Sequence, residues 1–400
     1  MTDTPTPPAR QHYLDWLRIA AFGLLVPYHV GMYYVSWDWH IKSPQWHTEL
    51  EPWMMLSSPW RMDLLFIVSG AATTLMLAAG RAPSFAWLRR RSARLLLPLL
   101  LGMLVIVPPQ SWLEVQRRYG YAGGYLDFLS LYLRGENAGF CDALRGCLAL
   151  PTWNHLWYLP YLFAYTLLLW GALRGRPGLL PGIAQLIARA LAGPRLLWLP
   201  LALLFGWRLL MARHFPATHA LVDDWFLHGQ YLAMFAFGAA LAQADCLAQD
   251  AQRWRWSALL SAAAGWLALQ GLLMSGAGWP WMRGLAFSVL QWGALVAAIG
   301  FARRHWNADH PLRQPLAEAV FPLYLLHQTL IILLAHALLP WALPFAVEAP
   351  LLVGATSALG WLGYRLALHG GPLRIWFGLK PDRALSRAPA TASEAPSPGR

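Results

Sequence analysis

The sequence predicts an all-α fold: a polytopic membrane bundle of about ten transmembrane helices with both termini on the cytoplasmic side. Three observations predict it. The 400-residue chain is 57% hydrophobic and 12% charged, with a mean hydropathy of +0.38, whereas soluble domains carry about 25% charged residues. Apolar runs long enough to cross a bilayer recur along it. Its arginines collect in alternate loops between those runs, which marks the loops that stay inside.

Taken in order, residues 1–12, rich in Thr and Pro, read as a mobile cytoplasmic tail. The integral membrane domain spans 13–378. Its apolar runs fall near 14–36, 57–79, 93–109, 154–173, 195–212, 227–244, 256–274, 281–301, 318–338 and 348–368. The runs at 93–109 and 195–212 are short enough to be tilted or partly interfacial. The loop 37–56 is crowded with Trp37, Trp39, Trp46 and Trp53 beside His40, His47 and Lys42. The loop 110–153 is too long for a simple connection and is expected to fold over the bundle. Residues 179–192 read as a short amphipathic helix on the inner surface. The segment 379–400, rich in Pro, Ala and Ser, reads as a disordered cytoplasmic tail. The first apolar segment lacks a short apolar stretch followed by a small-residue cleavage site, so it is expected to stay as a helix.

Orientation follows from the basic residues. Arg81, Arg89, Arg90, Arg91 and Arg94 lie between the second and third runs, and Arg174, Arg176, Arg189 and Arg195 between the fourth and fifth. Arg253, Arg255, Arg303, Arg304 and Arg313 fill the next alternate loops, and Arg374, Lys380, Arg383 and Arg387 follow the last run. The opposite loops are poorer in Arg, apart from Arg117, Arg118, Arg134 and Arg145, which acidic residues partly offset. This distribution explains the net charge of +12 as a topology signal and argues against nucleic acid as a partner. Of the three cysteines, Cys141 and Cys147 fall in the outer loop and Cys246 on the inner side. A disulfide between the first two is permitted by an oxidising compartment but not required by the spacing.

The polar residues inside the apolar runs carry the functional information. Arg18 and His29 lie eleven residues apart, a separation of about 16 Å along a helix and within about 20° of the same direction. Ionisable groups in lipid cost roughly 3 kcal/mol or more each and usually face a bundle interior, marking function. A snorkelling arginine and a satisfied core histidine are the plainer alternative. Pro27 cannot donate a backbone hydrogen bond and is expected to kink the helix or free the Gly23 carbonyl near His29.

On the second run, Asp63 and Ser69 point in different directions, since six helical steps turn roughly 600°. Ser69-Gly70 fits either close helix packing or a direct role. Arg91 and Arg94, in Arg89-Arg90-Arg91-Ser92-Ala93-Arg94, suit lipid headgroups or the phosphates of a nucleotide-bearing donor. His155 and Trp157 open the fourth run, and His327 is a second deep histidine on the ninth. The chain lacks HExxH or a His/Cys cluster at ligand spacing, so no metal is expected. It also lacks a G-x-S-x-G elbow and a Walker loop.

In this order the motifs resemble the membrane acyltransferase-3 family. The match comprises Leu14-Asp15 with Arg18 and His29, then Asp63, Phe66, Ser69 and Gly70, then Arg91, Arg94 and Pro98. His155 to Leu159 and Tyr324 to His327 complete it. The sequence departs from the family pattern in Leu65 and Tyr158, each standing where the family has Phe. Trp39-His40, Ser43 and Arg61-Met62 make it most similar to the subgroup of periplasmic-glucan succinyltransferases, the glucan biosynthesis protein C group.

The resemblance implies an O-acyltransferase of the bacterial inner membrane. It would move an acetyl or succinyl group from cytoplasmic acyl-CoA to a hydroxyl of a periplasmic or cell-envelope glycan. It assigns His29 as the base or proton relay, Arg18 to the donor or its thioester, and Asp15 to orienting Arg18. Arg91, Arg94 and Ser69 would hold the donor. His155, Trp157, His327, Asp63, Trp39 and His40 would face the saccharide. Acyl-CoA enters as donor substrate, with membrane lipids as surroundings and no metal. A secondary transporter or flippase would also need buried Arg, Asp and His, but such proteins commonly show internal repeats, and none is visible. Thioester consumption separates the two.

Overall fold

The computed structural model describes residues 11–77, 83–137, 139–142, 146–176, 178–276 and 279–380. The expected tails therefore fall mostly outside the described residues, as do Arg81 and Arg145. At the N-terminal boundary the helix already begins at His12, inside the expected tail.

The first apolar run forms α1 (His12–Gly23) and α2 (Leu25–Tyr34), interrupted at Leu24. Pro27 removes the amide that would reach the Gly23 carbonyl. The path nevertheless stays helical, since Leu24 keeps φ −67° and ψ −18° and the Leu24 and Tyr28 amides still bond Ala20 and Leu24. A short α3 (Glu51–Met54) follows in the loop, then α4 (Arg61–Met76). The third run is longer than the sequence suggested. α5 (Phe85–Leu101) passes through a wide turn at Gly102–Ile106 into α6 (Val107–Tyr119), one 35-residue rod.

The wide turn explains how the rod carries Pro108. It shifts the Val107 amide onto the Gly102 carbonyl, so Pro108 is next in line for Met103 and has no N–H to give. The Tyr132 hydroxyl donates to the Met103 carbonyl instead, at 2.8 Å. Tyr132 sits on α7 (Tyr125–Arg134), part of the long loop, which packs a small core of Val115, Phe128, Tyr132 and Phe140 against the bundle. Beyond it the two-residue strands β1 (Cys141–Asp142) and β2 (Gly146–Cys147) pair antiparallel, and Cys141 and Cys147 form a disulfide.

The remaining elements are α8 (Tyr158–Gly175), α9 (Leu179–Ala190), α10 (Arg195–Met211), α11 (Trp225–Gln243) and α12 (Asp245–Arg253). They continue with α13 (Arg255–Met274), α14 (Pro280–His305), α15 (Arg313–Leu338) and α16 (Phe345–His369). The expected amphipathic segment is α9, set at 104° to α10. Each of the ten apolar runs contains a helix among the described residues. Among the described residues six helices are long and apolar enough to cross a membrane alone, and eight when each bent pair counts as one span. The first run falls short because it is broken at Leu24, the second because α4 has 16 residues.

At the centre lies α4, packed against α1 and α11. A Cβ on Gly70 would stand 2.0 Å from the Phe235 carbonyl oxygen, and one on Gly238 would stand 1.9 Å from that of Ile67. The two backbones touch, as small residues allow in lipid-embedded bundles. That contact decides the role of Gly70 as packing and leaves Ser69 free for another neighbour.

Candidate active site

Arg18 and His29 both face α15. The Arg18 Nη2 donates to the Ala317 carbonyl at 3.0 Å, and the His29 ring lies 4.9 Å from that of His327. The shared face expected from spacing therefore survives the break at Leu24. The polar residues gather into two groups at different depths.

The first group surrounds Arg18. Arg91 and Arg94 on α5 lie within electrostatic reach of it and of each other. Arg91 donates to the Thr73 hydroxyl at 3.1 Å and Arg94 to the Gly378 carbonyl at 3.1 Å. Asp15 stands 3.8 Å from Arg18, but its closer partner is Arg313 at 2.5 Å, which also holds Asp309 at 2.8 Å. Asp15 thus ties α1 to the start of α15 and neutralises Arg18 only in part. Buried Nε atoms of Arg18 and Arg91 have no hydrogen-bond partner. Three guanidinium groups that repel one another and keep free donors favour an anion between them. Ser69 belongs here as well: its hydroxyl is hydrogen-bonded to that of Tyr158, and Tyr158 is within reach of both Arg18 and Arg91.

The second group comprises three histidines. The His327 ring lies 4.9 Å from His29 and 5.1 Å from His155. Each uses one ring nitrogen on a backbone carbonyl: His29 Nδ1 on Leu25 at 2.8 Å, His327 Nδ1 on Tyr324 at 2.6 Å and His155 Nε2 on Leu325 at 3.1 Å. A carbonyl oxygen accepts and cannot donate, so that nitrogen carries the proton in each neutral ring. The other nitrogen of each then keeps a lone pair. On His327 and His155 that atom is buried without a partner. Tyr324 completes the lock by donating its hydroxyl to the His155 carbonyl at 2.9 Å.

Between the two groups stands a wall of Phe22, Tyr158 and Tyr324, with ring centroids 5.4 to 6.4 Å apart. All three side chains are buried. Arg61 lies within electrostatic reach of His29 and His327, with its guanidinium 3.5 Å over the Tyr28 ring.

A polar chain leads from the histidines toward the loops. Gln328 donates to His40 Nε2 at 2.9 Å and to Gln110 at 2.9 Å, and Gln110 donates to Thr329 at 2.8 Å. Since His40 Nε2 accepts, its Nδ1 donates to Glu114, at 2.5 Å. Arg118 bridges Glu114 at 3.0 Å and Asp38 at 2.6 Å. Trp157 is half-buried beside Tyr231 and His219, at 5.5 and 4.2 Å. His219 belongs to a loop whose burial lowers its pKa.

Two expected site residues lie elsewhere. Asp63 is 1% exposed and gives its two oxygens to Gln230 at 2.9 Å and Gln291 at 2.5 Å. It joins α4 to α11 and α14, pointing away from Ser69 as the turn angle required. Trp39 is packed among Tyr33, Ile41, Leu113 and Ile331, so its ring faces are covered, while Trp46 and Trp53 are exposed.

The family model described as an acyltransferase domain, the acyltransferase-3 family, matches residues 11–365. The chain belongs to that family. Among curated proteins it is similar to glucans biosynthesis protein C of Escherichia coli O1:K1, and to that of Escherichia coli strain K12, each 27% identical over 164 residues. The match covers 41% of this chain and 39% of each relative, so the chain matches about two fifths of their length. No solved structure matches it.

In this membrane acyltransferase, sequence reasoning missed Tyr324 and Gln328 as members of the site, and Arg61 as a neighbour of the histidines. Tyr158 was visible as a departure from the family's Phe, and its hydroxyl is what binds Ser69. Among the described residues no three His, Cys, Asp or Glu side chains are placed to hold a metal ion together.

Proposed function

We propose that this acyltransferase carries an acetyl or succinyl group from cytoplasmic acyl-CoA to a hydroxyl of a periplasmic or cell-envelope glycan, within the bacterial inner membrane. The observation that carries the reading is the separation of the two polar groups along one helical face. An excess of guanidinium charge around Arg18 suits the phosphates of CoA. The histidines, each with one nitrogen fixed as donor, suit proton transfer at the far end of an extended thioester.

In this reading Arg18, Arg91 and Arg94 hold the phosphate end, with Asp15 limiting the orientation of Arg18. Ser69 and Tyr158 flank the passage of the pantetheine arm. The acceptor hydroxyl approaches from the side of His155, His40 and Trp157. His29 Nε2 takes the hydroxyl proton as the oxygen forms its bond to the thioester carbon. The C–S bond then breaks, and the same proton passes to the departing sulfur to give free CoA. No net proton is gained or lost. The arginine distribution and the Cys141–Cys147 disulfide both support placing the acceptor side in an oxidising compartment.

The test is thiol release from acetyl-CoA and succinyl-CoA by the purified protein in nanodiscs, with and without an envelope glucan. It is paired with mass spectrometry of the glucan for an added 42 or 100 Da, the mass arithmetic of the two acyl groups. Glucan-dependent thiol release with the matching mass supports the reading. Saccharide movement across vesicles without thioester consumption would replace it with a transporter.

A further inference from the structure

Arg61 is the charged residue nearest the histidines that the mechanism above leaves without a task. It opens α4, is 5% exposed, and forms no ion pair among the described residues. Its guanidinium lies 3.5 Å from the centre of the Tyr28 ring, and Tyr28 is 5.6 Å from His29. Its charge is felt at both His29 and His327. Two of its donor atoms, Nε and Nη1, are buried without any hydrogen-bond partner. Leaving charged donors unsatisfied costs several kcal/mol in a low-dielectric interior. Here the aromatic face of Tyr28 supports the guanidinium.

Arg18, which the sequence suggested for polarising the thioester, is placed differently. It shares its surroundings with Arg91 and Arg94, and a wall of three aromatic rings separates it from His29.

We propose that Arg61 is the group that stabilises the oxyanion of the tetrahedral intermediate, leaving Arg18 to the phosphate end. The proposal rests on the acyl-transfer reading and adds a catalytic residue to it. As the acceptor oxygen bonds to the thioester carbon, the carbonyl π pair moves onto its oxygen. Arg61 donates Nη1–H to that oxygen while His29 holds the acceptor proton. The pair returns to re-form the carbonyl as the C–S bond breaks, and the proton follows the sulfur. A charged N–H donor suits an oxygen whose charge exists only in the transition state and intermediate.

Steady-state kinetics of the full chain in nanodiscs tests this, with succinyl-CoA or acetyl-CoA as donor and envelope glucan as acceptor. Arg61→Gln is expected to lower kcat by about 10²–10³. The KM values for donor and acceptor should stay near those of the wild type, because the lost contact forms after binding. Arg61→Lys keeps the charge on a differently placed donor and is expected to fall between the two. An Arg61→Gln enzyme with wild-type kcat, or one whose whole loss lies in KM, overturns the proposal. If Arg61→Gln gives no monodisperse protein, Arg61→Lys decides by the same split. A wild type that releases no thiol from either donor brings down the acyl-transfer reading and this proposal together. An active wild type matched by Arg61→Gln removes this proposal alone.

Discussion

On the proposed mechanism, His29→Ala is expected to separate catalysis from folding. The ring makes one hydrogen bond, to the Leu25 carbonyl at 2.8 Å, and that carbonyl remains inside the helical ladder when the ring is gone. Losing a neutral hydrogen bond of this kind costs about 1 kcal/mol. The neighbouring rings of Tyr28 and His327, at 5.6 and 4.9 Å, stay anchored by their own partners. Folding and insertion should therefore persist. Removal of a general base typically costs about 10²–10⁴-fold, or about 2.7–5.4 kcal/mol on the barrier. His29→Gln fills the space without supplying a base and should be equally impaired. The assay is thiol release from acyl-CoA by nanodisc protein, normalised to the monodisperse fraction on size exclusion. A turnover within about threefold of wild type, less than 1 kcal/mol, would remove His29 from the chemistry.

Arg91→Ala and Arg94→Ala are expected to raise the donor KM more than they lower kcat if, as proposed, both supply ground-state contacts to phosphate; donor titrations check this, and unchanged donor dependence would assign these arginines to orientation. Gly70→Ala should lower the temperature at which detergent-solubilised protein aggregates, because its Cβ would lie 2.0 Å from the Phe235 carbonyl oxygen and overpacking costs about 1–3 kcal/mol. An unshifted aggregation temperature would show that α4 and α11 are not in backbone contact. Thiol labelling of denatured, unreduced protein should modify Cys246 alone, given the Cys141–Cys147 bridge. Labelling of all three cysteines would refute the bridge.

The helical runs and the Arg18–His29 face were legible because hydropathy and helical periodicity are properties of one segment at a time. The convergence of His29, His155 and His327 was not, because it depends on which helices become neighbours. Nor was the fate of Asp63. A buried carboxylate reads as a functional residue until Gln230 and Gln291, far away in the chain, are seen to occupy it. The length of the 85–119 rod was hidden for another reason. Pro98, Pro108 and Pro109 signal helix ends, and the wide turn and the Tyr132 hydroxyl that make the rod tolerable are tertiary features. Trp39 shows the converse error, in which loop tryptophans suggested an open sugar platform although one of them packs inside.

The packed rings of Phe22, Tyr158 and Tyr324 have a consequence for the cell's energy supply. An enzyme that handles a substrate on each face of an energised membrane needs a path through it, and any open aqueous path would dissipate the proton gradient. Moving one elementary charge through 100 mV is worth about 2.3 kcal/mol, so even a slow leak drains stored work. Rings with centroids 5.4 to 6.4 Å apart are in edge-to-face contact and hold no water between them. A slender uncharged thioester arm can part such rings, whereas a hydrated ion would have to shed its water to follow. In the proposed acyl-transfer reading, the wall would act as electrical insulation that yields to substrate.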